Sequence, residues 1–254
     1  MEHVRKDAHD GQPSTTPSGA WQRLRAGNQR FVAGQAVHPR QDAGRLATLV
    51  AGQHPWAVIL SCADSRVPPE IVFDQGLGDL SVVRTAGHAA DGVVLGSIEF
   101  AVTGLAVPLV VVLGHAQCAA VAAALQARAT STTPDGHLRE VVEQIRRSMM
   151  LAGLRGLHPG RQDDTDWLVD EHVRHTCALL QERSRVLAEA MRAGRTALIA
   201  ARYDLTDGVV RTLTWAGDPA GSGPEQPRSP DTSPSLRTAA PPLPSGRPSR
   251  SRRP

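Results

Sequence analysis

Apolar residues along this chain follow two different periods. Trp21, Leu24 and Phe31-Val32 recur at helical spacing and stop at Gly34, which predicts an amphipathic N-terminal helix. A second short helix is expected around 44–51. Three short, continuously apolar runs follow, at 57–60, 80–84 and 108–113, and each reads as a buried strand. Helical spacing occupies 89–103 and an Ala-rich stretch at 116–129. Two more helices are expected at 137–153 and 165–193; the second begins near the capping residues Asp163-Asp164-Thr165 and stops at Gly194. Residues 196–203 and 209–215 then alternate like two strands joined through Asp207-Gly208, a hairpin signal.

Apolar strands separated by helices indicate an α/β fold with a mostly parallel central sheet covered by helices on both faces. An N-terminal helical arm precedes it, and the C-terminal strand pair lies at its edge. The arm could pack on its own domain or reach a partner subunit. Polar, turn-rich residues 1–16 and the Pro/Ser/Gly/Arg-rich stretch 217–254 have little to bury and are expected to be disordered, leaving 17–216 as the one domain that can fold and carry function. No internal repeat is visible. Residues 107–125 are apolar enough to suggest a membrane span, but Pro108, Gly114, His115 and Gln117 interrupt them. A strand turning into a helix explains that stretch better, and no membrane association is expected.

Composition narrows the class. The chain has 254 residues, 41% of them apolar but only 3% aromatic, so the core must come from Ala, Val, Leu and Ile. The net charge of +3 equals the balance after Gly217, where six Arg face three acidic residues. The remainder is therefore neutral, and no basic stripe supports nucleic-acid binding. Three cysteines do not make a disulfide framework, and residues 1–19 hold no apolar core like that of a signal peptide. A reducing, cytoplasmic setting is expected.

The candidate chemistry lies directly after two of the strands. Cys62-Ala-Asp64-Ser-Arg66 follows the first, and His115-Ala-Gln-Cys118 follows the third. Ligands of parallel sheets lie beyond the carboxyl ends of strands, where both motifs stand. Two thiolates and an imidazole suit Zn²⁺, and neither motif offers a fourth Cys or His. Three protein ligands with an open position is the pattern of catalytic zinc, which argues for a zinc-hydroxide enzyme. Cys177 is left as a spare, buried thiol.

Cys62-Ala-Asp64-Ser-Arg66-Val-Pro, Asp79-Leu-Ser-Val-Val-Arg84-Thr-Ala-Gly87 and Gly114-His115-x-x-Cys118 together resemble the β-class carbonic anhydrases. The likeness extends from about Trp21 to Trp215. It implies one Zn²⁺ per subunit on Cys62, His115 and Cys118, and reversible hydration of CO₂ to bicarbonate. It also implies a homodimer or homotetramer. Asp64 would accept a hydrogen bond from zinc-bound hydroxide, and Arg66 would keep that carboxylate ionised and aimed. In related enzymes this Asp instead ligates the metal. The alternative for the pair is a helix cap with a surface ion pair.

The resemblance further implies Gln53 as a donor to bicarbonate, against the reading of an ordinary turn glutamine. Phe100 would line the apolar pocket wall, and either reading buries it. His54 and His88 could shuttle protons or be incidental surface histidines. His172 and His175 share a helix, but their spacing is poor support for a second metal. Three positions depart from the pattern: Ser81 where many relatives carry Phe, Ala119 where Gly is usual, and Ile59 where bicarbonate-regulated relatives carry Trp. Turnover of COS or CS₂, and a non-catalytic scaffold with a basic tail, are the competing functions.

Overall fold

The structure is a computed structural model that describes residues 16–153, 157 and 160–217. All of these belong to one unit, Met1–Pro224; a second, Glu225–Pro254, lies outside the described residues. The expected disorder of 1–16 and 217–254 likewise falls outside them, apart from Thr16 and Gly217.

Five strands form one sheet: β1 (Ala57–Cys62), β2 (Leu80–Thr85), β3 (Leu109–His115), β4 (Ala197–Tyr203) and β5 (Val210–Ala216). Their order is β2-β1-β3-β4-β5; β5 runs antiparallel to β4 and the other neighbours are parallel. Every residue of β1 and β3 is buried, while β2 at the edge is half-exposed. The helices are α1 (Pro17–Val32), α2 (Ala43–Leu49), α3 (Pro69–Val72), α4 (Gly92–Gly104), α5 (Ala119–Ala129), α6 (Leu138–Leu151), α7 (Gln162–Arg183) and α8 (Arg185–Arg192). The 107–125 stretch is β3 followed by α5, and among the described residues no helix is long and apolar enough to cross a membrane.

Several boundaries differ from the expected ones for physical reasons. β1 and β3 run on to Cys62 and His115 because parallel pairing continues past the apolar run. α4 begins at Gly92, because the Asp91 carboxylate caps it by accepting from Val93 N and Val94 N, both at 2.9 Å. Residues 86–88 form a 3₁₀ turn instead. The single helix expected over 165–193 is two, broken at Ser184. There the backbone is extended (φ −102°, ψ 99°) and the hydroxyl accepts from Leu187 N. Apolar spacing continues through the break, so periodicity does not show it. The four-residue α3 is too short to display a period at all.

α1 docks on its own chain. Trp21 meets Phe73 edge-on at 6.4 Å between ring centres, and the Arg23 guanidinium lies 4.4 Å above the Trp56 ring. Buried Asn28 fastens three segments: its amide donates to Val72 O (3.1 Å) and Gly208 O (2.9 Å), and its oxygen accepts from Val210 N (2.9 Å). Gly27 permits the close approach, since a Cβ there would sit 1.7 Å from Phe73 O.

Candidate metal centre and active site

The chain leaves β1 toward β2 on one side, and leaves β3 toward β4 on the other. Between β1 and β3 the winding direction therefore reverses, and the crevice at such a reversal is where open α/β sheets bind ligands. β1 and β3 pair in register as Ser61↔Leu113, so Cys62 and His115 end adjacent strands one residue out of step. Strands lie about 4.8 Å apart, which brings the two side chains together. Gln117, at φ 56°, then turns the chain so that Cys118 becomes the N-cap of α5. The ligand atoms of Cys62, His115 and Cys118 all lie within 4.8 Å of one another, and all three residues are buried.

Hydrogen bonding fits this cluster to a cation. His115 Nδ1–H donates to the Ala116 carbonyl at 2.8 Å, which leaves a lone pair on Nε2. That nitrogen is buried and has no hydrogen-bond partner, a costly condition for a polar atom unless a metal takes it. Cys62 Sγ lies 4.0 Å from Cys118 Sγ and accepts backbone N–H groups from Asp64 (3.4 Å) and Gly87 (3.3 Å). Contact with Cys118 and these donors pulls the Cys62 thiol well below its ordinary range, while the Cys62 sulfur and burial push Cys118 up. Two sulfurs and one imidazole nitrogen form a donor set of the kind that suits Zn²⁺, and among the described residues these three would be the side chains to hold such an ion.

Asp64 stands beside this cluster, with Oδ2 3.9 Å from His115 Nε2. Arg66 grips both carboxylate oxygens, Nε on Oδ1 at 2.9 Å and Nη2 on Oδ2 at 2.7 Å, and its backbone N–H adds a third bond to Oδ1 at 2.9 Å. The guanidinium beside it holds the Asp64 carboxyl far below the usual carboxylate range. Arg84 fixes the loop from the other side, donating to Cys62 O (2.9 Å) and Asp64 O (2.5 Å). Asp166 of α7 accepts from Gln117 N at 2.8 Å and steadies the second motif.

The remaining expected residues do not all gather here. Gln53 is exposed in the loop before β1, at the end of that strand opposite Cys62. Phe100 corrects the expectation of burial: it is 61% exposed on the second half of α4, with its ring over Gly104. His54 is exposed beside Gln53. His88 is no surface histidine but fully buried, and both ring nitrogens lack partners. Burial, helped by neighbouring His172 and His115, drives its pKa well below 6.5. His172 and His175 share a hydroxyl, that of Ser148, rather than forming part of a metal cluster among the described residues. Ala119 is the first residue of α5 and adds no strain, since the left-handed position belongs to Gln117. Ile59 is wholly buried in β1, Ser81 half-buried in β2, and Cys177 a buried free thiol raised by burial.

Sequence reasoning quotes Gly87 and Arg84 without giving them a role, and passes over the supporting residues Asp166 and Ser148. The first two lie within a motif at β2 and the turn after it and carry a visible signal, a Gly at a strand-to-helix turn and an Arg in an apolar strand. Asp166 and Ser148 meet their partners only through tertiary packing.

Comparison with known proteins agrees with this geometry. Residues 57–210 match the carbonic anhydrase family profile. Carbonic anhydrase 2 of Mycobacterium tuberculosis is 51% identical over 196 residues, covering 77% of this chain and 92% of that protein. The β-carbonic anhydrase CafA of Aspergillus fumigatus superposes with a TM-score of 0.59 at 29% identity, over 76% of this chain and 89% of that one. A tetrameric β-carbonic anhydrase of Sordaria macrospora shares the fold at a TM-score of 0.62 and 19% identity, over 77% and 98% of the respective chains. The buried Cys-His-Cys cluster at the sheet's winding reversal, the Asp–Arg pair beside it and these likenesses place the chain in the β-class carbonic anhydrase family.

Proposed function

We propose that this chain catalyses the reversible hydration of CO₂ to bicarbonate and a proton, with one Zn²⁺ held by Cys62, His115 and Cys118. The observation that carries the reading is the orphaned Nε2 of His115, facing two sulfurs, with the Arg66-locked Asp64 carboxylate 3.9 Å away. A scaffold would have no use for that oriented carboxylate.

When bound, zinc would lower the pKa of a coordinated water from about 15.7 toward about 7, the value reached with three histidine ligands in other carbonic anhydrases. Two thiolates donate more charge than imidazoles, so the surrounding groups must offset the excess. Asp64, ionised at any working pH, accepts the hydrogen bond of the attacking oxygen and turns its lone pair toward CO₂. Arg66 prevents the carboxylate from rotating away. The N–H groups of Asp64 and Gly87 withdraw charge from the Cys62 sulfur.

Gln53 and Phe100 serve the reaction if a second subunit brings them to the metal centre, since Gln53 stands at the end of β1 opposite Cys62 and Phe100 is exposed on α4. Exposed apolar side chains support a homodimer or homotetramer: Leu46 and Val50 at α2, and Val93 and Phe100 on α4. Three free cysteines and thiolate ligands favour the reducing cytoplasm.

The test is zinc analysis with a stopped-flow CO₂ assay. About one Zn²⁺ per chain is expected, with hydration between pH 7 and 9, and loss of hydration in Asp64→Ala without loss of zinc. Zinc-replete protein inactive over that range rejects the proposal.

A further inference from the structure

Behind the metal centre lies a buried polar chain that the reaction does not use directly. Gly87, whose N–H bonds to Cys62 Sγ at 3.3 Å, offers its carbonyl to His172 Nε2 at 3.0 Å. His172 Nδ1 lies 2.7 Å from the Ser148 hydroxyl, which lies 2.7 Å from His175 Nδ1. A carbonyl only accepts, so His172 carries its proton on Nε2 and presents a lone pair at Nδ1. Ser148 must then donate to His172 and accept from His175 Nδ1–H. The Gln144 backbone carbonyl is a second acceptor for the Ser148 hydroxyl, but at 3.5 Å it is the longer bond, and the shorter ones run in one direction, from His175 to Gly87.

The surroundings keep His172 in this arrangement. His172 and Ser148 are buried, and the His88 ring covers His172 at 4.4 Å between centres, tilted by 33°. Burial lowers His172 to about 4, so the ring stays neutral at physiological pH. Gly87 itself sits at φ 60°, ψ 26°, and a Cβ there would approach Ala120 and Ile145 to 3.1 Å each. Its N–H and its carbonyl each have one polar partner, the Cys62 sulfur and the His172 ring respectively.

We propose that His172, oriented by Ser148, is a positioning residue that holds the Gly87 turn so that its N–H stays on the Cys62 sulfur and tunes that thiolate as a metal ligand. The inference rests on the metal reading of Cys62, His115 and Cys118. Removing the imidazole leaves the Gly87 carbonyl buried and unpaired, frees the turn to move, and weakens the N–H···S bond. The thiolate then becomes more basic and the ligand cage less ordered. Partners that orient metal ligands are typically worth about 10- to 100-fold in affinity.

The experiment compares the full chain with His172→Ala, His172→Gln, Ser148→Ala and Leu180→Ala. The last removes a fully buried side chain of α7 two turns away from His172. Zn²⁺ affinity is read by chelator competition, and the thiolate-to-metal charge-transfer absorption is read on the Co²⁺-loaded protein. Expected for His172→Ala are an affinity loss of about 10-fold or more and a displaced band. His172→Gln keeps an N–H donor and an acceptor and restores most of both, while Ser148→Ala moves both the same way by less. Leu180→Ala lowers the melting temperature but moves neither. An unmoved band and affinity in His172→Ala overturn the proposal, as does an equal displacement in Leu180→Ala. If His172→Ala does not fold, unchanged values in Ser148→Ala overturn it and displaced ones support it. Wild-type protein that binds no zinc defeats the metal reading itself, a result distinct from zinc-binding wild type with an unaffected His172 variant.

Discussion

Arg66 holds both carboxylate oxygens of Asp64, at 2.9 Å from Nε and 2.7 Å from Nη2. A lysine cannot reproduce that two-point grip. In Arg66→Lys the carboxylate stays ionised but becomes free to turn, so kcat should fall about 10- to 100-fold with zinc content unchanged, read by stopped-flow hydration and metal analysis. Since the guanidinium depresses the Asp64 pKa, protonation of Asp64 should add no acidic limb to the wild-type rate between pH 5 and 9. An Arg66→Lys enzyme as fast as wild type would remove the dyad from the mechanism.

Burial keeps His172 and His88 neutral, and this fixes a pH dependence of stability. His172 falls from 6.5 to about 4, and His88 moves the same way. Between those values the unfolded chain binds protons that the folded chain refuses, so stability is full above pH 6.5 and declines as pH falls toward 4. For His172 alone the decline is about 2 kcal/mol between pH 6.5 and 5. Urea unfolding of wild type and His172→Gln should show the wild-type advantage shrinking by that amount. A pH-independent difference would contradict the buried neutral ring.

Gly87→Ala should be costly twice over. A left-handed alanine costs about 1–2 kcal/mol, and its Cβ would press on Ala120 and Ile145 at 3.1 Å. Chemical denaturation should register at least that loss, and zinc affinity should fall with it as the turn shifts from Cys62.

Asn28→Ala removes the partner of Val72 O, Gly208 O and Val210 N together. Each buried group left unpaired costs about 1–3 kcal/mol, so a loss above about 2 kcal/mol is expected. Calorimetry should detect it, with zinc still bound because Asn28 touches none of the ligands. A neutral substitution would mean that α1 docks chiefly through Trp21 and Phe73.

Much of the site is legible in the sequence because its signals are local. Cys62 and His115 end apolar strands of a parallel sheet, and that placement alone sets them at the carboxyl edge. Asp64 and Arg66 meet within one turn of chain. Phe100 and His88 defeat the same reasoning for the opposite cause: exposure depends on which neighbour covers a side chain, and periodicity does not say. The break at Ser184 is equally invisible, because a capping serine can interrupt a helix without disturbing its apolar spacing.

From the amino-acid order alone come the alternation of apolar strands with helices, the three metal-seeking side chains and the carboxylate beside them, since each follows from residues close together in the chain. Folding alone decided the rest. The winding reversal put Cys62 next to His115, and α6 and α7 delivered Ser148 and His172 to the back of the Gly87 turn. Such partners are distant along the chain, and no local pattern encodes a contact that exists only once the layers have packed.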